Sequence, residues 1–214
     1  LPPEELELSG RLRRGPRGFG VIMALDYESS EVGPYSEMLY IPGRVTLERE
    51  ETGRIGRKPR SLYRGHSISD IWVTSELSRA SGTENWGIPK RLGRISWEGD
   101  GGEARRVLLE DTRGGALLEL EISPSGGPLN RIGAAINLPF THRFLPRRLI
   151  QTTRTQLFST LIEASGRVCP IFGARLKAHS GTASEICSRK VVAAFHLTQV
   201  NLLFPRPELR VNLR

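Results

Sequence analysis

Arg105-Arg106-Val107-Leu108-Leu109-Glu110, Asp111-Thr112-Arg113-Gly114-Gly115 and Ala116-Leu117-Leu118-Glu119-Leu120-Glu121-Ile122-Ser123 follow one another without interruption in the middle of the chain. Two apolar-rich runs of strand length, joined by a short polar segment ending in two glycines, read as a β-hairpin. Working outward, the same grammar recurs. Leu92–Trp97 precedes the glycines of Gly99–Gly102, and Phe19–Tyr27 is a β-rich run. Glu37–Ile41 follows Gly33-Pro34 and stops at Pro42-Gly43. Ser67–Ser75 alternates, which places Ile68, Asp70, Trp72 and Thr74 on one face and Ile71 and Val73 on the other. Ala174–His179 and Val191–Val200 are further strand candidates. Arg148–Ala164 stays open: Leu149, Thr153, Leu157 and Leu161 recur every four residues as in a helix, yet the segment also alternates as a strand would. Asn130–Leu138 reads as a short helix or loop, and Pro139–Pro146 as a basic connector. Short strands at close spacing predict a mainly β (α+β) fold: one domain over residues 1–214, a curled sheet or barrel with one or two helices.

Composition narrows the function classes. The 214 residues carry 31 basic and 23 acidic side chains, a net charge of +8. Lys58, Lys90, Lys177 and Lys190 are the only lysines, leaving 27 Arg. Where Arg serves for plain positive charge, each remaining Lys invites the question of what an amine does there. The arginines are scattered among turns and carry no nucleic-acid signature, so nucleic acid is not the expected partner. No run approaches the roughly 20 apolar residues of a membrane span. Leu1-Pro2-Pro3-Glu4-Glu5 lacks the basic start and apolar core of a secretory signal. A cytoplasmic location is the resulting expectation, with Cys169 and Cys187 as reduced thiols and a disulfide between them as the alternative. His66, His142, His179 and His196 have no metal-ligand spacing, so no metal or other cofactor is expected.

Two segments concentrate the chemistry. In Ser81-Gly82-Thr83-Glu84-Asn85-Trp86-Gly87-Ile88-Pro89-Lys90-Arg91-Leu92, Pro89 favours extended backbone at Ile88. Ile88 and Lys90 then share a face and Arg91 points the other way. An isoleucine beside the amine and Trp86 close by make a desolvating environment. This matters because a nucleophilic lysine must be neutral, and at an ordinary pKa near 10.4 only about one amine in a few thousand is neutral at pH 7. Arg cannot substitute, since it stays charged. In Gly33-Pro34-Tyr35-Ser36-Glu37-Met38-Leu39-Tyr40-Ile41, alternation puts Glu37, Leu39 and Ile41 on one face and Met38 and Tyr40 on the other. A Glu on an apolar face sits either at a strand end in water or inside with a partner.

Together the two segments resemble those of the acetoacetate decarboxylase family. One is Ile22-Met23-Ala24 followed by Gly33-Pro34-Tyr35-Ser36-Glu37; the other is Glu84 and, six residues on, Lys90 within Pro89-Lys90-Arg91-Leu92. The resemblance implies a β-rich cone or barrel, usually a homo-oligomer, that needs no cofactor. It implies that Lys90 forms a Schiff base with a small or medium keto acid and that Glu37 handles protons. Glu84 would support the site, with Ile88, Trp86, Tyr35, Met23 and Arg91 as pocket or supporting residues. Acetoacetate decarboxylase is itself the standing example of a lysine activated by desolvation or a neighbouring cation. Three departures stand out. Arg91 replaces a lysine, no carboxylate occupies Val21-Ile22-Met23, and none of Arg11, Arg13, Arg14 and Arg17 aligns with the family's N-terminal arginine. The alternative function is a non-catalytic small-molecule-binding protein on the same fold.

Overall fold

The computed structural model describes residues 10–14, 20–49, 60–100, 103–122, 138–141, 147–179, 186 and 191–212. In chain order the strands begin with β1 (Gly10–Arg14), β2 (Val21–Tyr27), β3 (Tyr35–Ile41), β4 (Arg44–Arg49), β5 (Arg60–His66) and β6 (Asp70–Val73). Helix α1 (Glu76–Trp86) leads to β7 (Lys90–Leu92), β8 (Arg94–Asp100), β9 (Glu103–Glu110) and β10 (Ala116–Ile122). Then come β11 (Leu138–Thr141), β12 (Arg148–Thr152), β13 (Gln156–Leu161), β14 (Glu163–Ile171), β15 (Ala174–Ala178), β16 (Ala194–Leu203) and β17 (Leu209–Asn212).

The β9–β10 hairpin forms as its sequence predicts. Asp111 Oδ1 accepts the Arg113 and Gly115 N–H groups, and Gly114 adopts φ +85°. That left-handed position is one glycine fills without strain. Among the described residues the strands make four open sheets, ordered β1-β4-β5-β12-β13-β17, β15-β10-β9-β8, β11-β14-β16 and β2-β3-β6-β7. The expectation of a mainly β fold holds, but none of these sheets closes into a barrel.

Several sequence readings change. Arg148–Ala164 is not a helix: β12 and β13 pair antiparallel from Arg148↔Leu161 to Thr152↔Leu157, and β14 follows directly. Thr153 turns the chain, since its N–H reaches the Gln156 carbonyl at 2.8 Å. Leu92–Trp97 is two strands, broken at Gly93. Ser67–Ser69 precedes β6 rather than extending it, so Ile68 joins Ile71 and Val73 in one core instead of sharing a face with Trp72. Pro139–Thr141 belongs to β11. Cys187, His142 and most of Asn130–Leu138 lie outside the described residues.

The one helix among the described residues, α1, shows no apolar stripe in its sequence. It buries Ser78 and Gly82 and exposes Leu77. Its ends are set by capping: Ser75 Oγ accepts the Ser78 N–H, and Gly87 closes the helix at φ +63°. The Ile88 N–H returns to the Gly82 carbonyl at 3.1 Å, a Schellman-type end. Strand β3 is buried on both faces. Met38 and Tyr40 pack with Trp72, Val107, Leu109 and Leu118, whereas Leu39 and Ile41 pack with Ile68, Ile71, Leu149 and Ile162.

Two outcomes follow from this packing. A Cβ on Gly87 would stand 2.5 Å from Cδ2 of the fully buried Phe158 and would hold a left-handed φ. Gly87→Ala should therefore lower stability by roughly 1–3 kcal/mol in urea unfolding. On β10, Glu119 is buried and bonded to Arg106 Nε at 2.5 Å, with Lys177 Nζ 3.8 Å away. The Arg106 hydrogen bond is the main reason its carboxyl is held below the ordinary 4.5; burial opposes, and the charges of Arg106 and Lys177 add. A depressed folded-state value means the contribution is complete above pH 4.5 and disappears as pH falls through the folded value. Stability measured from pH 7 down to the acid range should fall less steeply in Glu119→Gln than in the wild type.

Candidate active site

Register decides which side chains meet. In the β2-β3-β6-β7 sheet, Leu25 pairs with Glu37, Met23 with Leu39 and Tyr27 with Tyr35. Across the other edge of β3, Leu39 pairs with Ile71 and Glu37 with Val73. Strand β7 runs parallel to β6, with Ile71 opposite Lys90 and Trp72 opposite Arg91. Paired residues share a face. Met23, Leu25, Tyr27, Tyr35, Glu37 and Lys90 therefore belong to one face, and Arg91 belongs to the other.

On that face Lys90 Nζ lies 3.1 Å from Glu37 Oε2, with side-chain exposures of 9% and 3%. The amine also donates to Ser78 Oγ at 2.9 Å and sits 5.4 Å from the centre of the Tyr35 ring. The Tyr35 phenol is pushed above its usual range by burial and then by the Glu37 charge, against the opposing pull of Lys90 and Ser78. Tyr27 donates to Glu37 Oε1 at 3.2 Å. The pair thus has a partner on each carboxylate oxygen, as a buried charge requires. Removing one member of such a pair typically costs about 3–5 kcal/mol, because the other is left charged and unpaired.

The sequence-predicted residues do not all converge. Lys90, Glu37 and Tyr35 meet. Ile88 is buried on the same side, and its carbonyl accepts the Lys90 N–H at 2.8 Å. Met23 lines a small apolar cavity of about 30 Å³ beside Glu37, together with Leu39, Ile68, Leu149 and Ile162. Trp86 stands at the edge of that core, its Nε1 donating to the Pro205 carbonyl at 2.8 Å. Glu84 does not join them: it is exposed on α1, where helical geometry turns it away from buried Ser78 and Gly82. Arg91 leaves the site too. Its guanidinium lies 3.7 Å from Asp70 and 5.7 Å from the Trp72 ring centre, on the opposite face.

Three participants escaped the sequence reading. Tyr27 could have been found by continuing the alternation of β2 past Leu25. Ser78 and Gly82 depend on α1, which has no sequence pattern to announce it. Gly82 matters for room: a Cβ there would come within 2.6 Å of Lys90 Cε and 2.7 Å of Cδ. A wide cleft of about 2060 Å³ is lined in part by Tyr27, Tyr35, Glu37, Ser78 and Lys90.

An open β-sheet protein with a buried lysine–carboxylate pair on the wall of a cleft is the class that fold and site define. The family model described as acetoacetate decarboxylase (ADC) matches residues 1–196, and the chain belongs to that family. Its structure is similar to that of acetoacetate decarboxylase from Legionella pneumophila subsp. pneumophila str. Philadelphia 1, over 99% of this chain and 78% of that one, at 14% identity and a TM-score of 0.58. A second acetoacetate decarboxylase structure matches over 90% of this chain and 73% of that one, at 16% identity and 0.45. The enduracididine biosynthesis enzyme MppR, complexed with pyruvate, matches over 85% and 67%, at 15% and 0.44. The curated proteins give no match. Among the described residues no helix is long and apolar enough to cross a membrane.

Replacing Gly82 by Val should push the Lys90 stem out of its slot. Labelling of Lys90 by an amine reagent, followed by peptide mass mapping, is expected to rise relative to Lys177. Equal labelling in the variant and the wild type would show that the slot does not hold the lysine.

Proposed function

We propose that the chain is an imine-forming lyase that acts on a small or medium keto acid, with Lys90 as the amine and Glu37 as the group that takes and returns its proton. The observation that supports this reading is the buried Lys90–Glu37 contact of 3.1 Å at the cleft wall. A lysine becomes a nucleophile only after losing a proton, and Glu37 Oε2 is within hydrogen-bond reach of that proton. The neutral amine adds to the keto carbon, and Glu37 returns the proton to the carbinolamine hydroxyl, which leaves as water and gives a protonated imine. The bond between the α-carbon and a β-carboxylate then breaks, its electron pair moves to the imine nitrogen, and carbon dioxide leaves. The enamine carbon takes up the one proton that the overall reaction consumes, drawn from solvent and delivered through Glu37. Water then hydrolyses the new imine, releasing the ketone and restoring the amine. The apolar face around Met23, Leu25 and Leu39 would hold the carbon skeleton and keep bulk water from the reacting atoms.

Incubation with acetoacetate and borohydride, followed by peptide mass mapping, tests the reading. A reduced adduct on Lys90, lost in Lys90→Arg, is the expected result. No adduct, or an equal yield from Lys90→Arg, removes it. Stabilisation by acetoacetate that persists in Lys90→Met would instead identify a binding protein without turnover.

A further inference from the structure

Glu37 has two oxygens, and the structure gives them different partners. Oε2 meets Lys90 Nζ at 3.1 Å, and Oε1 meets the Tyr27 hydroxyl at 3.2 Å. Register explains how a residue ten positions away arrives there. Tyr27 pairs with Tyr35 and Leu25 with Glu37, so Tyr27 lies diagonally from Glu37 on the same face of an antiparallel pair. Diagonal neighbours are about 7–8 Å apart, a span a tyrosine can bridge. The ring is fixed in its plane by stacking on Tyr35, with centroids 4.6 Å apart and planes 21° from parallel. Burial first, and then the Glu37 charge, push the Tyr27 phenol well above its ordinary range. It therefore remains protonated and offers Glu37 a donor throughout the working pH range.

We infer that Tyr27 is a positioning residue that acts through Glu37: its hydroxyl pins Oε1 and so directs Oε2 at the Lys90 amine. Without it, Oε1 would lose the hydrogen bond from Tyr27, and the carboxylate could rotate away from the amine. The phenol keeps its own proton; the proton that moves is the one on Nζ, which passes to Oε2. This inference rests on the imine reading for its kinetic consequence and on geometry alone for the contact.

Tyr27→Phe retains the ring and its stack, so two measurements separate the two claims. The first is the infrared carboxylate stretch of Glu37, assigned by its loss in Glu37→Gln. It is expected to move in Tyr27→Phe, and an unmoved band overturns the inference whether or not the protein has activity. The second is the rate of borohydride-trapped adduct formation with acetoacetate, measured over a range of substrate concentrations. The limiting rate is expected to fall roughly tenfold in Tyr27→Phe, with substrate affinity retained. An unchanged limiting rate overturns the inference while leaving the imine reading intact. No adduct in the wild type removes the imine reading, while the infrared band still decides the role of Tyr27.

Discussion

The site depends on a charge pair that cannot be dissolved in water. Lys90 and Glu37 are almost wholly enclosed, and each would be costly to keep there alone. Such a pair adds little to stability over an apolar pair of the same shape, because desolvation offsets most of the attraction. The fold therefore does not need it. What the fold supplies is the enclosure: an apolar sheet face, a helix that offers one serine and one glycine to the lysine, and a tyrosine for the second carboxylate oxygen.

Strand β3 carries much of that burden because both its faces are covered. Behind Glu37, on the opposite face, Ser36 Oγ donates to Asp26 Oδ1 at 2.6 Å and accepts from Trp97 Nε1 at 3.1 Å. The Ser36 N–H donates to Thr74 Oγ1 at 2.9 Å and the Thr74 N–H to the Ser36 carbonyl at 3.0 Å, tying the start of the strand to the end of β6. Movement of Glu37 relative to Lys90 would have to break these contacts or disturb two cores. Two faces of one strand thus hold one carboxylate in place.

Period-2 patterning made much of this legible. The alternation of Glu37, Leu39 and Ile41 against Met38 and Tyr40 matches the division into two cores, and Lys90 and Arg91 do part to opposite faces. Family resemblance singled out Lys90 and Glu37, which the structure brings together, and also Glu84, which it leaves in solvent. The spacing from Glu84 to Lys90 is a feature of the sequence, but the helix ending at Trp86 and the Gly87 cap intervene, so six residues do not bring the two side chains together. The helix itself was invisible because it packs against the sheet through Ser78 and Gly82, and small residues leave no hydrophobic period to read. The four-residue recurrence in Arg148–Ala164 marks no common face. Strands β12 and β13 meet in a tight hairpin whose two faces are both covered, and Leu149 and Leu157 lie on opposite faces in different cores.

The parallel crossover β6–α1–β7 has a consequence beyond geometry. Strand β7 has three residues, and its middle one is Arg91. A side chain changes face with each step along a strand, so sliding β7 by one residue against β6 would replace the Lys90 amine with the Arg91 guanidinium. Net charge and composition would be unchanged, yet a guanidinium does not shed its proton and cannot attack a carbonyl. The length of the crossover, set by the Ser75 and Gly87 caps, is thus chemical information. Substitutions on the exposed side of α1 leave it intact, whereas the loss or gain of a single residue between those caps would exchange an amine for a permanently charged guanidinium beside Glu37.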